Sequence, residues 1–223
     1  MVNLIRSKLI VYLRKVLRWI YARRLGQYPA LKRLVEGFQK SESVAVDLAD
    51  AIALYEHVLR LKPKCILELG PGTSTNVICL AIKEIQASDP EYCPIFLSFE
   101  EDPQWSHYHE NLFEPSLRKY VKLDVLPTAK KQVKGSEVGP AAYCVGLPKL
   151  PYDFVFIDGP RCQRHECKWS CDVLELLEFF AQRVWIVFDS REITARQIWK
   201  LLRNEGFQCK RNPYGLCYEI WRE

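Results

Sequence analysis

At 223 residues, 48% hydrophobic and 26% charged, the chain carries enough apolar material for one elaborated domain with a complete core, which excludes a wholly disordered protein. Its formal charge of +5 is uneven: residues 1–35 hold nine Lys/Arg and no Asp or Glu, and the 23 basic and 27 acidic residues that follow give −4. Such asymmetry points to an anionic partner for a basic N-terminal arm, either a membrane surface or nucleic acid. Nine cysteines, an odd number scattered through expected strands and helices, suit a reducing compartment better than a disulfide framework. Charges interrupt every apolar run, so neither a signal peptide nor a bilayer-spanning segment is expected, and the expected location is cytoplasmic.

The arm, residues 1–40, reads as an amphipathic helix preceding a main domain over 41–223. Val2, Ile5, Leu9, Tyr12, Leu13, Val16 and Ile20 recur at three- and four-residue steps on one face, with Lys8, Arg14, Lys15 and Arg18 opposite. A basic helix of this kind suits the interfacial zone of an anionic membrane, where residues 1–35 would hold the protein peripherally. The same apolar face could instead pack on the domain or on a second subunit, so oligomerisation stays open. So broad an apolar face has no use against a phosphate backbone, which argues against nucleic acid.

Glu42 to Leu61 form the next expected helix, capped by Ser41 and ended by Pro63. Cys65–Leu69 then supply an apolar run too short for a helix, followed by Gly70-Pro71-Gly72 and a helix over Thr73 to Ile85. Gly70 and Gly72 allow a sharp turn close to a ligand, and Thr73 or Ser74 can cap the helix. A strand over Pro94 to Glu100 leads into a helix beginning at Pro103. Short strands are expected at Tyr120 to Leu123, Tyr152 to Asp158 and Val184 to Phe188, with helices over Lys168 to Ala181 and Ile193 to Asn204. Ala129 to Leu150 reads as a long mobile loop. Phe207 to Lys210 and Leu216 to Trp221 close the chain as two strands about the turn Asn212-Pro213-Tyr214-Gly215. Alternating β and α elements imply a doubly wound, mostly parallel sheet of seven strands, and the tight terminal turn makes the last pair antiparallel.

Glu68, two residues before Gly70, gives the turn its character. The Glu-x-Gly-x-Gly pattern resembles that of S-adenosylmethionine-dependent methyltransferases. In a dinucleotide fold the turn accepts a pyrophosphate, which a carboxylate would repel, and Thr75 stands where the third fingerprint glycine belongs. The resemblance implies that Glu68, Gly70, Gly72, Thr73 and Ser74 surround the methionine part of the cofactor. It assigns Glu100, at the end of the second strand, to the ribose hydroxyls and Asp124 to the adenine edge, although a solvated loop aspartate describes Asp124 as well.

The run Phe156-Ile157-Asp158-Gly159-Pro160 is similar to small O-methyltransferases with a Phe-Ile-Asp-Gly motif. In metal-using members an aspartate here binds a divalent cation together with an Asp-Asp or Asp-Asn pair after the next strand. This chain offers Asp189-Ser190, so the resemblance leaves two roles open: Asp158 and Asp189 hold Mg²⁺, or one of them takes the proton from an acceptor hydroxyl. Likeness to glycan-modifying relatives would assign Arg161, Arg164 and His165 to an anionic or hydroxyl-rich acceptor. The reading is an S-adenosylmethionine-dependent O-methyltransferase of a small-molecule or glycan-like acceptor near a membrane. A nucleotide- or NAD-binding α/β enzyme and a non-catalytic adaptor keeping the fold are the alternatives. Cys162, His165, Cys167 and Cys171 match no standard zinc spacing.

Overall fold

The computed structural model describes residues 20–21, 23–38, 48–162, 166–211 and 218–223. In chain order its elements are α1 (Pro29–Phe38), α2 (Leu48–Leu61), β1 (Cys65–Leu69), α3 (Thr73–Ser88), β2 (Ile95–Glu100), α4 (Pro103–Leu112) and β3 (Lys122–Val125). They continue as β4 (Thr128–Lys131), β5 (Ala141–Cys144), β6 (Phe154–Ile157), β7 (Trp169–Ser170), α5 (Asp172–Leu176), β8 (Val184–Phe188), α6 (Glu192–Leu202), β9 (Gln208–Arg211) and β10 (Tyr218–Arg222).

Continuous apolar runs fix the centre. Every residue of β1, β6 and β8 is buried, as expected for parallel strands covered on both faces. The sheet runs β3-β2-β1-β6-β8-β10-β9, and only β10 opposes its neighbours. This is the doubly wound, mostly parallel seven-stranded sheet with a terminal antiparallel hairpin that the alternation of elements implies.

Strand alternation divides the core in two. Ile66, Phe154, Phe156 and Val187 pack on one face with residues of α1, α2 and α3, whereas Leu67, Leu69, Val155, Ile157 and Phe188 meet α5 and α6 on the other. α1 belongs to the first core. Its Leu31 and Val35, with Leu25 before it, are buried, although the sequence reading places them in the arm. The amphipathic positions 1–19, Ser41 and the first residues of the Glu42 helix, and the terminal turn 212–217 lie outside the described residues.

Three stretches differ from expectation. The stretch Ala129 to Leu150 is not simply a loop: β4 and β5 pair antiparallel within it, and β5 pairs parallel with β7, giving a small second sheet. That pairing draws Trp169 and Ser170 out of the helix expected from Lys168, which is confined to α5 and a 3₁₀ turn over Leu177–Phe179. The strand expected at Tyr120 to Leu123 lies two residues later, because Pro115–Tyr120 form a 3₁₀ helix.

Candidate active site

The carboxyl ends of β1, β2, β6 and β8 open on a cavity of about 490 Å³, the volume of a small-molecule site. It sits where connections from β1 and β6 leave the sheet in opposite directions, the usual ligand position in an open α/β sheet.

The turn after β1 forms its floor. Gly70 has φ +88°, a conformation in which a side chain is strained. A Cβ at Gly70 would lie 2.7 Å from the Gly159 nitrogen, so the turns after β1 and β6 touch backbone to backbone. The amides of Asp158 and Gly159 both donate to the Leu69 carbonyl, at 2.8 and 2.7 Å, which locks that seam. Gly72 is extended, and a Cβ there would meet only the His109 ring at 3.7 Å, so its lack of a side chain leaves room in the cavity. Gly72 also takes the cap position of α3, and neither Thr73 nor Ser74 does. Instead the Gly72 amide donates to Thr75 Oγ1 at 2.9 Å.

Glu68 lies beneath this turn and is fully buried. Ser74 Oγ donates to its Oε1 at 2.6 Å, while Thr75 Oγ1 and Ser98 Oγ donate to Oε2 at 2.7 and 2.6 Å. Burial pushes its pKa up to about 7 against the pull of those three hydroxyls. Glu68 is absent from the cavity wall, which is reached from this turn by Gly70, Pro71, Gly72, Thr73 and Ser74.

The opposite wall comes from β2 and α4. Glu100 lines the cavity, and its Oε1 accepts the amides of Glu101 and Asp102 at 2.8 and 2.9 Å. Burial raises its pKa despite those two bonds. Asp102 caps α4 by accepting the Gln104 amide at 3.0 Å, with Pro103 in the first turn. Trp105, Tyr108 and His109, spaced i, i+3, i+4, put an aromatic strip on the wall, and Trp105 stacks on His109 at 5.8 Å between centroids. The guanidinium of Arg161 lies 4.5 Å from the Trp105 centroid, and the Arg161 amide donates to Glu101 Oε1 at 2.5 Å. The sequence carries the same strip as an i, i+3, i+4 aromatic spacing at the start of the helix after Pro103.

Asp158 and Asp189, ending β6 and β8, share the third wall. Loss of surrounding water and the nearby Asp189 charge push the Asp158 pKa up to about 7, with Arg191 opposing. Arg191 pairs with Asp158 Oδ1 at 3.2 Å and donates to the Asp158 carbonyl oxygen. Ser190, at φ +52°, turns the chain between Asp189 and Arg191, and its hydroxyl donates to Asp189 Oδ1 at 3.1 Å. Nothing in the sequence marked Arg191, since a guanidinium folding back across a turn has no periodic signature.

The resemblance implies Mg²⁺ at this pair. A hard dication needs free carboxylate oxygens, and Asp158 Oδ1 is already paired with a guanidinium. The residue after Asp189 is a serine whose hydroxyl donates to that aspartate rather than adding a ligand. Among the described residues no group of three or more His, Cys, Asp or Glu is arranged to hold a metal ion. With Arg191 holding Asp158, this donor set does not fit Mg²⁺.

The cavity therefore gathers Gly70, Gly72, Thr73, Ser74, Glu100, Asp158, Arg161 and Asp189. It does not gather Glu68, or Asp124, which is exposed in β3 and accepts the Val125 amide at 2.8 Å. Arg164 and His165 lie outside the described residues. Cys162 and Cys167 pack with Ala142 in a small apolar cluster, and Cys171 joins the main core.

Among solved structures the chain is similar to an O-methyltransferase of Streptomyces achromogenes involved in tomaymycin synthesis, TomG, solved with S-adenosylmethionine. The two are 14% identical over 86% of this chain and 87% of that one, with a TM-score of 0.52. A methyltransferase of Geobacter sulfurreducens matches at 14% identity over 89% and 96%, with a TM-score of 0.56. The chain has the methyltransferase fold. A Staphylococcus aureus protein provisionally named a caffeoyl-CoA O-methyltransferase also matches, at 13% identity over 92% and 97% with a TM-score of 0.57. No protein-family model matches the sequence, and no curated protein matches it either.

Proposed function

We propose that this protein transfers a methyl group from S-adenosylmethionine to a hydroxyl of a small-molecule or glycan-like acceptor. The observation that carries the reading is the placement of Glu100 and Asp158 on one cavity, on either side of the Gly70–Ser74 turn. Gly70, Gly72, Thr73 and Ser74 bound the space for the methionine part, where Gly72 contributes no side chain. Glu100, with Oε1 held by two amides, offers its remaining oxygen to the ribose hydroxyls. When bound, the cofactor supplies an electrophilic methyl group on a sulfonium. Asp158 takes the proton of the acceptor hydroxyl, a role that suits a carboxylate whose pKa lies near neutrality. Asp189 keeps that pKa high by its own charge. Arg161 and the aromatic strip of α4 hold the acceptor, the guanidinium meeting an anionic or hydroxyl-rich group and the rings a flat one. Asp124 would reach an adenine edge only from outside the cavity wall.

Isothermal titration with S-adenosylmethionine, S-adenosylhomocysteine and NAD tests this reading. Binding of the first two and not of NAD is the expected result. NAD binding alone would replace the reading with a dinucleotide enzyme, and a ligand-free result with an adaptor.

Membrane docking through the basic arm is the second part of the proposal. It rests on the charge and face pattern of residues 1–19, which hold Arg6, Lys8, Arg14, Lys15 and Arg18. Among the described residues no helix is long and apolar enough to cross a membrane. Because Leu25, Leu31 and Val35 are core residues, the deletion that tests docking removes 1–19 and spares them. The shortened protein should keep its thermal transition and stop sedimenting with anionic vesicles. Unchanged sedimentation would sink the idea.

A further inference from the structure

The disagreement between the Asp158–Asp189 pair and a divalent cation has a positive side. The pair is two carboxylates on one cavity wall, an arrangement that calls for a cation. The chain supplies one itself. Ser190, held at φ +52°, reverses the backbone immediately after Asp189, and the next residue is Arg191. Its guanidinium pairs with Asp158 Oδ1 at 3.2 Å, donates to the carbonyl oxygen of the same residue, and lines the cavity. Its Nε is buried and has no hydrogen-bond acceptor among the described residues, so the donor capacity of the group is not exhausted by Asp158. We propose that Arg191 is the resident cation of this site, its guanidinium held on Asp158 in the place that a divalent metal would take between the two carboxylates.

This rests on the methyl-transfer reading and deepens it. The Asp158 carboxylate accepts the proton of the acceptor hydroxyl. The acceptor oxygen uses a lone pair to form its bond to the methyl carbon, and the carbon–sulfur bond breaks with its electron pair left on sulfur. The Asp158 proton then passes to water. Arg191 does two things during this exchange. It fixes Asp158 through a side-chain and a backbone contact, and it places positive charge beside the oxygen as that oxygen loses its proton. Unlike a metal, the guanidinium brings no exchangeable ligand positions of its own, so the acceptor is oriented by hydrogen-bond direction.

Binding of Mn²⁺, followed by electron paramagnetic resonance on the full-length protein, tests the proposal without any acceptor. Wild type is expected to bind no Mn²⁺, and Arg191→Met to gain a site that Asp158→Asn removes from the double variant. Arg191→Lys retains the charge and should exclude Mn²⁺ as wild type does. Arg191→Met should also lower methyl transfer roughly 100-fold with unchanged S-adenosylmethionine affinity, and Arg191→Lys should restore part of that loss. Stoichiometric Mn²⁺ in wild type, lost in Asp158→Asn, overturns the proposal, as does loss of wild-type activity in EDTA. No Mn²⁺ site in a folded Arg191→Met also overturns it, because the carboxylates then need no cation. Failure to bind S-adenosylmethionine would defeat the methyl-transfer reading, and the Mn²⁺ measurements would still decide whether Arg191 occupies a cation site.

Discussion

The adjacent strands β1 and β6 each carry a carboxylate whose pKa is pushed up to about 7, Glu68 on the first and Asp158 at the end of the second. Glu68 is sealed under the glycine turn with three hydroxyl donors around it. Asp158 lies on the cavity wall with one guanidinium beside it, its side chain still 45% exposed. A raised pKa therefore does not by itself mark a reacting group. Burial raised it at Glu68, whereas loss of surrounding water and the Asp189 charge together raised it at Asp158, and access to the cavity separates a carboxylate that holds a turn from one available to chemistry.

The sharpest way to break this comparison is to neutralise the accessible member. Asp158→Asn should lower methyl transfer by about 10²–10⁴-fold, the range for loss of a general base, while S-adenosylmethionine binding measured by calorimetry survives. Full activity in a folded Asp158→Asn protein would remove Asp158 from the reaction. The sealed member should fail differently. Glu68→Ala leaves Ser74, Thr75 and Ser98 without their acceptor and should cost roughly 2–5 kcal/mol of stability in urea unfolding. A change below 1 kcal/mol, the ordinary scatter of surface substitutions, would show that the three bonds do not hold the turn.

Glu100 offers an intermediate case, lining the cavity with one oxygen tied to backbone. Glu100→Ala should weaken S-adenosylmethionine binding by about 1–3 kcal/mol, since ribose hydroxyls would be left unpaired. Equal affinities of variant and wild type in calorimetry would take Glu100 off the ribose.

The smallest expected effects are pH slopes, and they sharpen the comparison most. Glu68 is raised from 4.5 to about 7 on folding, so the native state holds a proton that the unfolded chain has released. Its contribution to stability is present below pH 4.5 and is lost as the pH rises towards 7. Glu68→Gln should flatten that slope in denaturation series at pH 5 to 7 and leave the rate profile alone. In the proposed role Asp158 must be ionised to accept a proton, so activity should rise with pH through about 7, and Arg191→Met should move that rise to higher pH. A rate profile that moved with Glu68→Gln instead would reverse the assignment of the two groups.

How much of this was legible in the sequence depended on how each segment stays buried. β8 is a continuous apolar run between turn residues and β1 is one broken only by Glu68, and the bounds of both match the reading. The sheet and its terminal hairpin followed from the order of such runs. β4 and β5 were missed because Thr128-Ala129-Lys130-Lys131 is a polar edge strand and Ala141–Cys144 is rich in alanine, a poor strand signal. Trp169 and Ser170 were absorbed into a helix because their real partner, β5, was itself unseen. At the site, glycines and strand-end carboxylates were readable from position along the chain. Whether a carboxylate faces inward or outward was not: Glu68 and Glu100 both precede turns, yet only Glu100 reaches the cavity.

The backbone contact between Gly70 and Gly159 has one more consequence. Compensation in proteins usually works by shrinking one side chain when its neighbour grows, but here neither residue has an atom left to remove. Gly159 is as tight as Gly70: a Cβ added to it would lie 2.9 Å from the Gly70 nitrogen. A lone substitution at either position should cost roughly 2–5 kcal/mol through overpacking and, at Gly70, left-handed strain as well. No second change at its partner can rescue it. The two halves of the sheet are thus joined at a point where neither partner can make way for the other.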